Sequence, residues 1–250
     1  MVGICDSGVG GLVVYQKLKA LLPRAPFVYL ADQAYAPYGE RSQAEIAARM
    51  KMVAQFFLDR GAATVVIACN TATVNAVDEL RATFPSLTIV GMEPAIKPAA
   101  AAADKIIVLG TNSTVHNLRY RALVDQYAAG KTVWHVGAPE LVRQVEAGEL
   151  DRTDLLAMKL QPLVDQGAEA LVIGCSHFSF LIPAIQRQWP SLQIFDGADG
   201  VARRAAEVAV KSSNSGSDRF YSTAHPDPVR FIDPPISFEH VALPTGSRVD

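Results

Sequence analysis

The 250-residue sequence has only three cysteines, Cys5, Cys69 and Cys175, with no CxxC spacing and no even framework. This excludes a disulfide-stapled scaffold and the common zinc patterns, and points to free thiols in a reducing, cytoplasmic setting. No apolar run approaches the roughly 18 residues that a membrane-spanning helix needs. The longest candidate, 98–104, is short and ends in Asp104. The N-terminus lacks a basic stretch followed by a long apolar one, so no secretory signal is expected. Charge is scarce as well: 19% of residues are charged, the net charge is −2 and the pI is near 6.2. That argues against a nucleic-acid surface. The glycines at 8–11 do not make the dinucleotide fingerprint, because Val13 stands where its third glycine belongs, and no Gly-Lys-Ser/Thr follows to make a P-loop. The loops after Cys69 and Cys175 contain no lysine to carry a pyridoxal group. No metal site is expected.

What the sequence does have is half its residues apolar, enough for a sizeable core, and one stretch that occurs twice. Residues 61–73 read GAATVVIACNTAT and residues 167–179 read GAEALVIGCSHFS. Gly61 answers Gly167 and Cys69 answers Cys175 at one common offset. The likeness continues from RATFPSLTIV (81–90) to RQWPSLQIF (187–195) with one residue dropped. Two related halves are expected, each carrying one thiol to a shared cleft.

Short apolar runs alternate with helical periodicity along the chain. Strands are expected at 2–7, 27–32, 63–69, 87–92, 105–110, 132–137, 169–175 and 192–195. Helices are expected after Leu12, with Leu12, Tyr15, Leu18 and Leu22 inward, and from Ser42, where Glu45 completes a capping box and Ile46, Met50, Val53 and Phe57 face inward. Further helices are expected after Cys69, over 115–129 closed by Gly130, from Pro139, over 153–166 with a bend at Pro162, and after Cys175. This alternation predicts an α/β fold: two pseudo-symmetric parallel-sheet αβα domains facing a central cleft. The first domain takes 1–94 plus 202–250 as a C-terminal return, and the second takes 95–201. Residues 212–218 read as a polar turn or linker, and the proline-rich 224–250 has no assignable element.

In parallel α/β sheets, ligands bind beyond the carboxyl ends of the strands. The sequence puts Asp6-Ser7, Asp32, Cys69-Asn70-Thr71, Thr111 and Cys175-Ser176-His177 at such ends. A helix starting after each cysteine sets backbone N–H groups near the thiol, which favours anions and the thiolate. Each residue also has a plainer role open to it. A cysteine ending an apolar strand can be a small core residue, and Cys5 is read as that, without a partner. Asp6 and Asp32 can cap turns, His177 can be a satisfied buried histidine, Glu146 can sit on a solvated helix face, and 37–39 can be only a turn. Matched thiols in an internal repeat weigh against two independent core choices. They suit a symmetric task, the inversion of a stereocentre, with a base on one face of a carbon and an acid on the other. Reacting atoms stand about 3–3.5 Å apart, so the sulfurs would lie on the order of 7 Å apart.

The stretches GICDSGVGGL (3–12), PYGER (37–41), IACNTA (67–72), GTNSTV (110–115) and LVIGCSHF (171–178) resemble those of glutamate racemases, within the aspartate/glutamate racemase superfamily, over about residues 3–205. The resemblance implies cofactor-independent interconversion of L- and D-glutamate, supplying D-glutamate to peptidoglycan and so to the cell wall. It implies Cys69 and Cys175 as acid/base catalysts, Cys69 acting on the D enantiomer and Cys175 on the L enantiomer, assisted by Asp6, His177 and Glu146. Substrate contacts carry over to Asp6, Ser7, Tyr38, Gly39, Asn70, Thr71, Ser176 and His177, and a homodimer is expected. The sequence departs from the family at Ser176, usually threonine, at Phe178-Ser179, usually tyrosine-proline, and at Ala138, where a cysteine is common. Racemisation of aspartate or another acidic amino acid is the alternative reading, and a catalytically decayed small-molecule-binding module a second.

Overall fold

A computed structural model describes residues 1–209, 216–224 and 229–244. The chain divides into two compact units, residues 1–92 with the described residues from 198 onward, and residues 93–197.

The first unit is built on β1 (Val2–Asp6), β2 (Phe27–Ala31), β3 (Thr64–Ile67) and β4 (Thr88–Gly91), with β9 (Arg219–Ser222) and β10 (Glu239–His240) added late in the chain. The order across this sheet is β10-β9-β2-β1-β3-β4, and every pairing is parallel. Its helices are α1 (Leu12–Leu21), α2 (Gln43–Leu58), α3 (Asn70–Thr83) and α10 (Ala198–Val208). Helix α1 packs on α10, and α2 on α3. All residues of β1, β2 and β3 are buried, as befits strands covered on both faces.

The second unit has β5 (Lys105–Gly110), β6 (Thr132–Gly137), β7 (Ala170–Gly174) and β8 (Gln193–Asp196) in the order β6-β5-β7-β8, again all parallel. Its helices are α4 (Ile96–Ala102), α5 (Asn112–Val115), α6 (Leu118–Tyr127), α7 (Pro139–Glu146), α8 (Asp154–Asp165) and α9 (Ile182–Gln188). Counted within each unit, the first four strands are ordered second, first, third, fourth in both sheets. The sequence repeat is thus also a repeat of topology. It extends to the turns: Gly61 and Gly167 both hold positive φ, +74° and +85°, immediately before β3 and β7. Glycine takes this conformation without the Cβ clash other residues suffer.

Local chemistry accounts for several helix starts. Ser42 caps α2 as expected, its Oγ accepting from the Glu45 N–H at 3.3 Å while its own N–H donates to Glu45 Oε2 at 2.9 Å. Pro139 occupies the first turn of α7. Four features differ from the sequence expectation. The helix expected over 115–129 is two, because Thr111 caps α5 and Asn117 restarts α6, each side-chain oxygen accepting a backbone N–H. The inward face of α1 is Leu12, Val14 and Leu18, with Tyr15 only half-buried. Asp32 lies one residue beyond β2. The late segment contributes β9 and β10 at the sheet edge, whose four and two residues are too short to carry a periodicity. Residues 212–215 of the expected linker lie outside the described residues, as do 225–228 and 245–250.

Gly11 shows how tightly the first unit closes behind Asp6. A Cβ there would fall 2.8 Å from Ala68 Cβ and 2.9 Å from both Asp6 Cβ and Tyr29 Oη. None of the three can retreat cheaply, since Asp6 and Ala68 flank adjacent strand ends and the Tyr29 hydroxyl donates to Gly8 O at 2.8 Å. Gly11→Ala is therefore expected to cost about 1–3 kcal/mol by overpacking, read as a lower urea midpoint.

Candidate active site

In a sheet ordered second-first-third-fourth, the chain leaves the first strand on one side and the third on the other. Their carboxyl ends then border a crevice that no connection crosses, where such folds hold ligands. In the first unit this point lies between the ends of β1 and β3, which carry Asp6-Ser7 and Cys69. In the second it lies between the ends of β5 and β7, which carry Thr111 and Cys175. Each thiol therefore stands at the switch point of its own sheet.

Cys69 is the N-cap residue of α3, extended at φ −85° and ψ 121°, and 4% exposed. Its thiol points at Ser7 Oγ, 3.9 Å away. Asp6 is buried beside it, with Oδ1 accepting the Gly8 N–H at 2.9 Å. Asn70 and Thr71 open α3 and are buried. The Asn70 amide donates to Met92 O at 3.4 Å, whereas Asn70 Oδ1 has no hydrogen-bond partner among the described residues. A buried acceptor left unpaired costs about 1–3 kcal/mol, so it is a feature in need of a donor.

Cys175 is extended at φ −147° and ψ 131° and also 4% exposed. Its Sγ is 4.0 Å from His177 Nδ1. His177 Nε2 meets Glu146 Oε1 at 2.6 Å. A carboxylate only accepts, so Nε2 carries the hydrogen, and Nδ1 is the ring nitrogen turned toward the thiol, where it presents a lone pair whenever the ring is neutral. Helix α7, anchored by its buried Leu141, Val142 and Val145, delivers Glu146 at its last residue. Glu146 is thus neither a solvated helix-face residue nor isolated; its carboxylate is engaged with a histidine that is 2% exposed. The segment after Cys175 corrects one expectation. It is a 3-10 turn over Ser176–Leu181, and α9 begins only at Ile182, with a proline in its first turn. Pro183 fixes where the helix starts.

The remaining residues sit on a loop of the first unit. Tyr38 and Gly39 lie in a 3-10 turn, Tyr38–Glu40. The buried Tyr38 hydroxyl donates to Asp32 Oδ2 at 2.6 Å. Burial first, then the neighbouring Asp32 carboxylate, push this phenol well above its ordinary range, so it stays a donor. Asp32 itself is gripped by Arg49, Nη2 to Oδ1 at 2.6 Å and Nε to Oδ2 at 2.8 Å, and by Thr223 Oγ1 at 2.9 Å. The sequence reading missed Arg49 and Thr223. Arg49 had a signal: it interrupts the inward stripe of Ile46, Met50 and Val53, where a charge needs a buried partner. Thr223 had none. Cys5 is core as expected, yet not partnerless, its thiol directed at Val66 O at 3.7 Å. Burial, then Asp6, push the Cys5 thiol well above its usual range.

Two parallel sheets with acid, thiol and hydroxyl groups at matched switch points define an α/β enzyme of the racemase type. Residues 4–205 match the Asp/Glu/Hydantoin racemase family, and the chain belongs to it. It is an amino-acid racemase, an isomerase. Among its relatives are the glutamate racemases of Stutzerimonas stutzeri, 40% identical over 90% of this chain and 89% of that one, and of Pseudomonas aeruginosa, 38% identical over 93% and 92%. Among solved structures, Escherichia coli glutamate racemase in complex with L-glutamate and an activator superposes with TM-score 0.79 at 31% identity, covering 89% of this chain and 88% of that one. A Bacillus anthracis glutamate racemase isoform gives 0.82 at 26%, covering 98% of both. No described helix is long and apolar enough to cross a membrane.

Proposed function

We propose that this chain interconverts L- and D-glutamate by a two-thiol acid/base reaction without a cofactor, in the cytoplasm and as a homodimer, and that its D-glutamate feeds peptidoglycan synthesis. The observation that carries this reading is the matched placement of Cys69 and Cys175, each with its own polar partners, in a chain 40% identical to a glutamate racemase across most of its length.

In the proposed reaction, glutamate lies with one sulfur on each face of its α-carbon. A thiolate removes the α-proton and the opposite thiol delivers a proton to the other face. Cys69 takes the proton from D-glutamate and Cys175 from L-glutamate. As the α-carbon loses its proton, negative charge spreads onto the α-carboxylate. Hydrogen bonds from Asn70, Thr71 and Ser176 and nearby backbone N–H groups stabilise it there. The unpaired Asn70 Oδ1 is suited to accept from the α-ammonium. Ser7, Tyr38 and Gly39 complete the substrate contacts. His177, oriented by Glu146, accepts and returns the Cys175 proton, and Asp6 assists Cys69.

The enantiomers have equal free energy, so detailed balance forces kcat/KM to be equal in the two directions. Glu146→Gln is therefore expected to lower kcat/KM for both by one factor, about 10²-fold at the low end for acid/base assistance. The asymmetry surfaces in isotope effects. Slowing proton removal by Cys175 should raise the effect seen with α-deuterated L-glutamate and lower that with α-deuterated D-glutamate. Equal effects for the two enantiomers would detach His177 and Glu146 from Cys175.

Circular dichroism assays on glutamate and aspartate in parallel test the substrate, with glutamate expected to turn over faster. Exchange of the α-proton of glutamate in heavy water tests the chemistry. A folded protein that binds glutamate without exchanging that proton would be a decayed binding module instead.

A further inference from the structure

The loop that carries Tyr38 and Gly39 begins directly after β2, and its start is tied to a segment almost two hundred residues later. Thr223, the first residue after β9, is buried, and its hydroxyl has two partners. It donates to Asp32 Oδ1 at 2.9 Å and accepts the Ala34 N–H at 3.0 Å. The Thr223 backbone N–H donates to Ala31 O at 3.0 Å, and next to it Ser222 Oγ donates to Gln33 Oε1 at 2.8 Å. The last residue of β2, Ala31, and the first three residues of the loop, 32–34, are thereby held by 222–223. The loop's far end runs into the capped start of α2 at Ser42, and inside the loop Arg41 braces Tyr35. Arg41 Nε donates to Tyr35 O at 2.6 Å, and its guanidinium lies 3.6 Å over the Tyr35 ring.

We propose that Thr223 is a positioning residue for substrate binding, setting through Asp32 and Ala34 where Tyr38 and Gly39 stand. The proposal rests on the assignment of Tyr38 and Gly39 to the substrate. The geometry separates positioning from mere folding. Asp32 keeps both Arg49 contacts and the Tyr38 hydroxyl when the Thr223 hydroxyl is lost, so the ion pair that secures the core survives. What is lost is the acceptor for the Ala34 N–H and one of the contacts that orient Asp32, while the Thr223 backbone and Ser222 still hold Ala31 and Gln33. The backbone that follows Ala34 and carries Tyr38 and Gly39 then shifts, while the Tyr38 hydroxyl stays on Asp32. Displacing contacts that act on bound substrate alike in ground and transition state raises KM and spares kcat.

The test uses Thr223→Val, which keeps shape and removes the hydroxyl, and Thr223→Ser, which restores it. In Thr223→Val the KM values for L- and D-glutamate are expected to rise about tenfold, the equivalent of one hydrogen bond, with kcat within about threefold; Thr223→Ser returns KM to within about twofold. Hydrogen exchange on the full chain should show the amides of residues 33–36 and 38 exchanging about tenfold faster in Thr223→Val, with α2 and β3 unchanged. An unchanged KM, a kcat loss at unchanged KM, unchanged loop exchange, or a serine variant as impaired as the valine would each overturn the proposal. Should Thr223→Val fail to fold, Thr223→Ala removes the same hydroxyl without placing a methyl against Asp32, and the same readings decide. If the wild type did not racemise glutamate, the substrate assignment would fail on its own, while loop exchange would still decide whether Thr223 positions the loop.

Discussion

Alanine in place of Cys69, or of Cys175, is expected to abolish racemisation in both directions, with a fall in kcat/KM of at least about 10²–10⁴-fold, the usual worth of positioned acid/base groups. Either substitution alone suffices. Inversion needs both a proton removed from one face and a proton delivered to the other, and each thiol performs one of these acts in each direction. Losing Cys69 stops removal from D-glutamate and delivery to the carbanion formed from L-glutamate. Losing Cys175 does the converse. Alanine is smaller than cysteine and both sites lie at strand ends, so the fold should tolerate the change, which far-ultraviolet circular dichroism checks. Cys5 is the internal control. Its thiol is directed at a backbone carbonyl and held protonated by burial and by Asp6, so Cys5→Ala should keep racemisation within about threefold. Two-way racemisation near the wild-type rate in a folded Cys69→Ala or Cys175→Ala variant would refute the mechanism.

Arg49→Ala is expected to produce the largest loss of stability of any single change considered. The Arg49 and Asp32 side chains are 4% and 1% exposed, and their two contacts are 2.6 and 2.8 Å. Removing the guanidinium leaves a buried carboxylate with the Tyr38 and Thr223 hydroxyls as its side-chain partners among the described residues, and takes a 2.8 Å donor, Arg49 Nη1, from the Pro244 carbonyl. Breaking one side of a buried ion pair costs about 3–5 kcal/mol, chiefly through the charge left behind. For a chain of this size that lowers the melting temperature by roughly 6–20 °C. The source of the loss can be isolated. Asp32→Asn in the Arg49→Ala background removes the stranded charge, so it should recover a large part of the stability, although Asp32→Asn alone destabilises. A double variant no more stable than Arg49→Ala would show that lost packing, and not the unpaired charge, dominates.

Much of this was legible in the residues. The alternation of short apolar runs with helical periodicity gave α/β units, because burial of a strand on two faces and of a helix on one imposes different periods on neighbouring residues. The capping box at Ser42 and the proline start of α7 are interactions within a single turn, so local sequence sufficed. Where two local signals competed, the reading went astray. Thr111 caps the start of α5 and Asn117 that of α6, and a single long periodic segment was expected in their place. The 3-10 turn after Cys175 was likewise hidden, since Ser176–Leu181 carries no residue that forbids an α-helix and the true start is set by Pro183.

By itself, the sequence determined that two thiols occupy equivalent positions in two related halves, because a repeat written into the chain folds into a repeat of strands and their ends. Only the tertiary structure decided what stands beside those groups: Glu146 behind His177, and Arg49 and Thr223 around Asp32. Such partners come from elements far apart in the chain. The energy of a buried charge or hydroxyl depends on neighbours that no local pattern encodes.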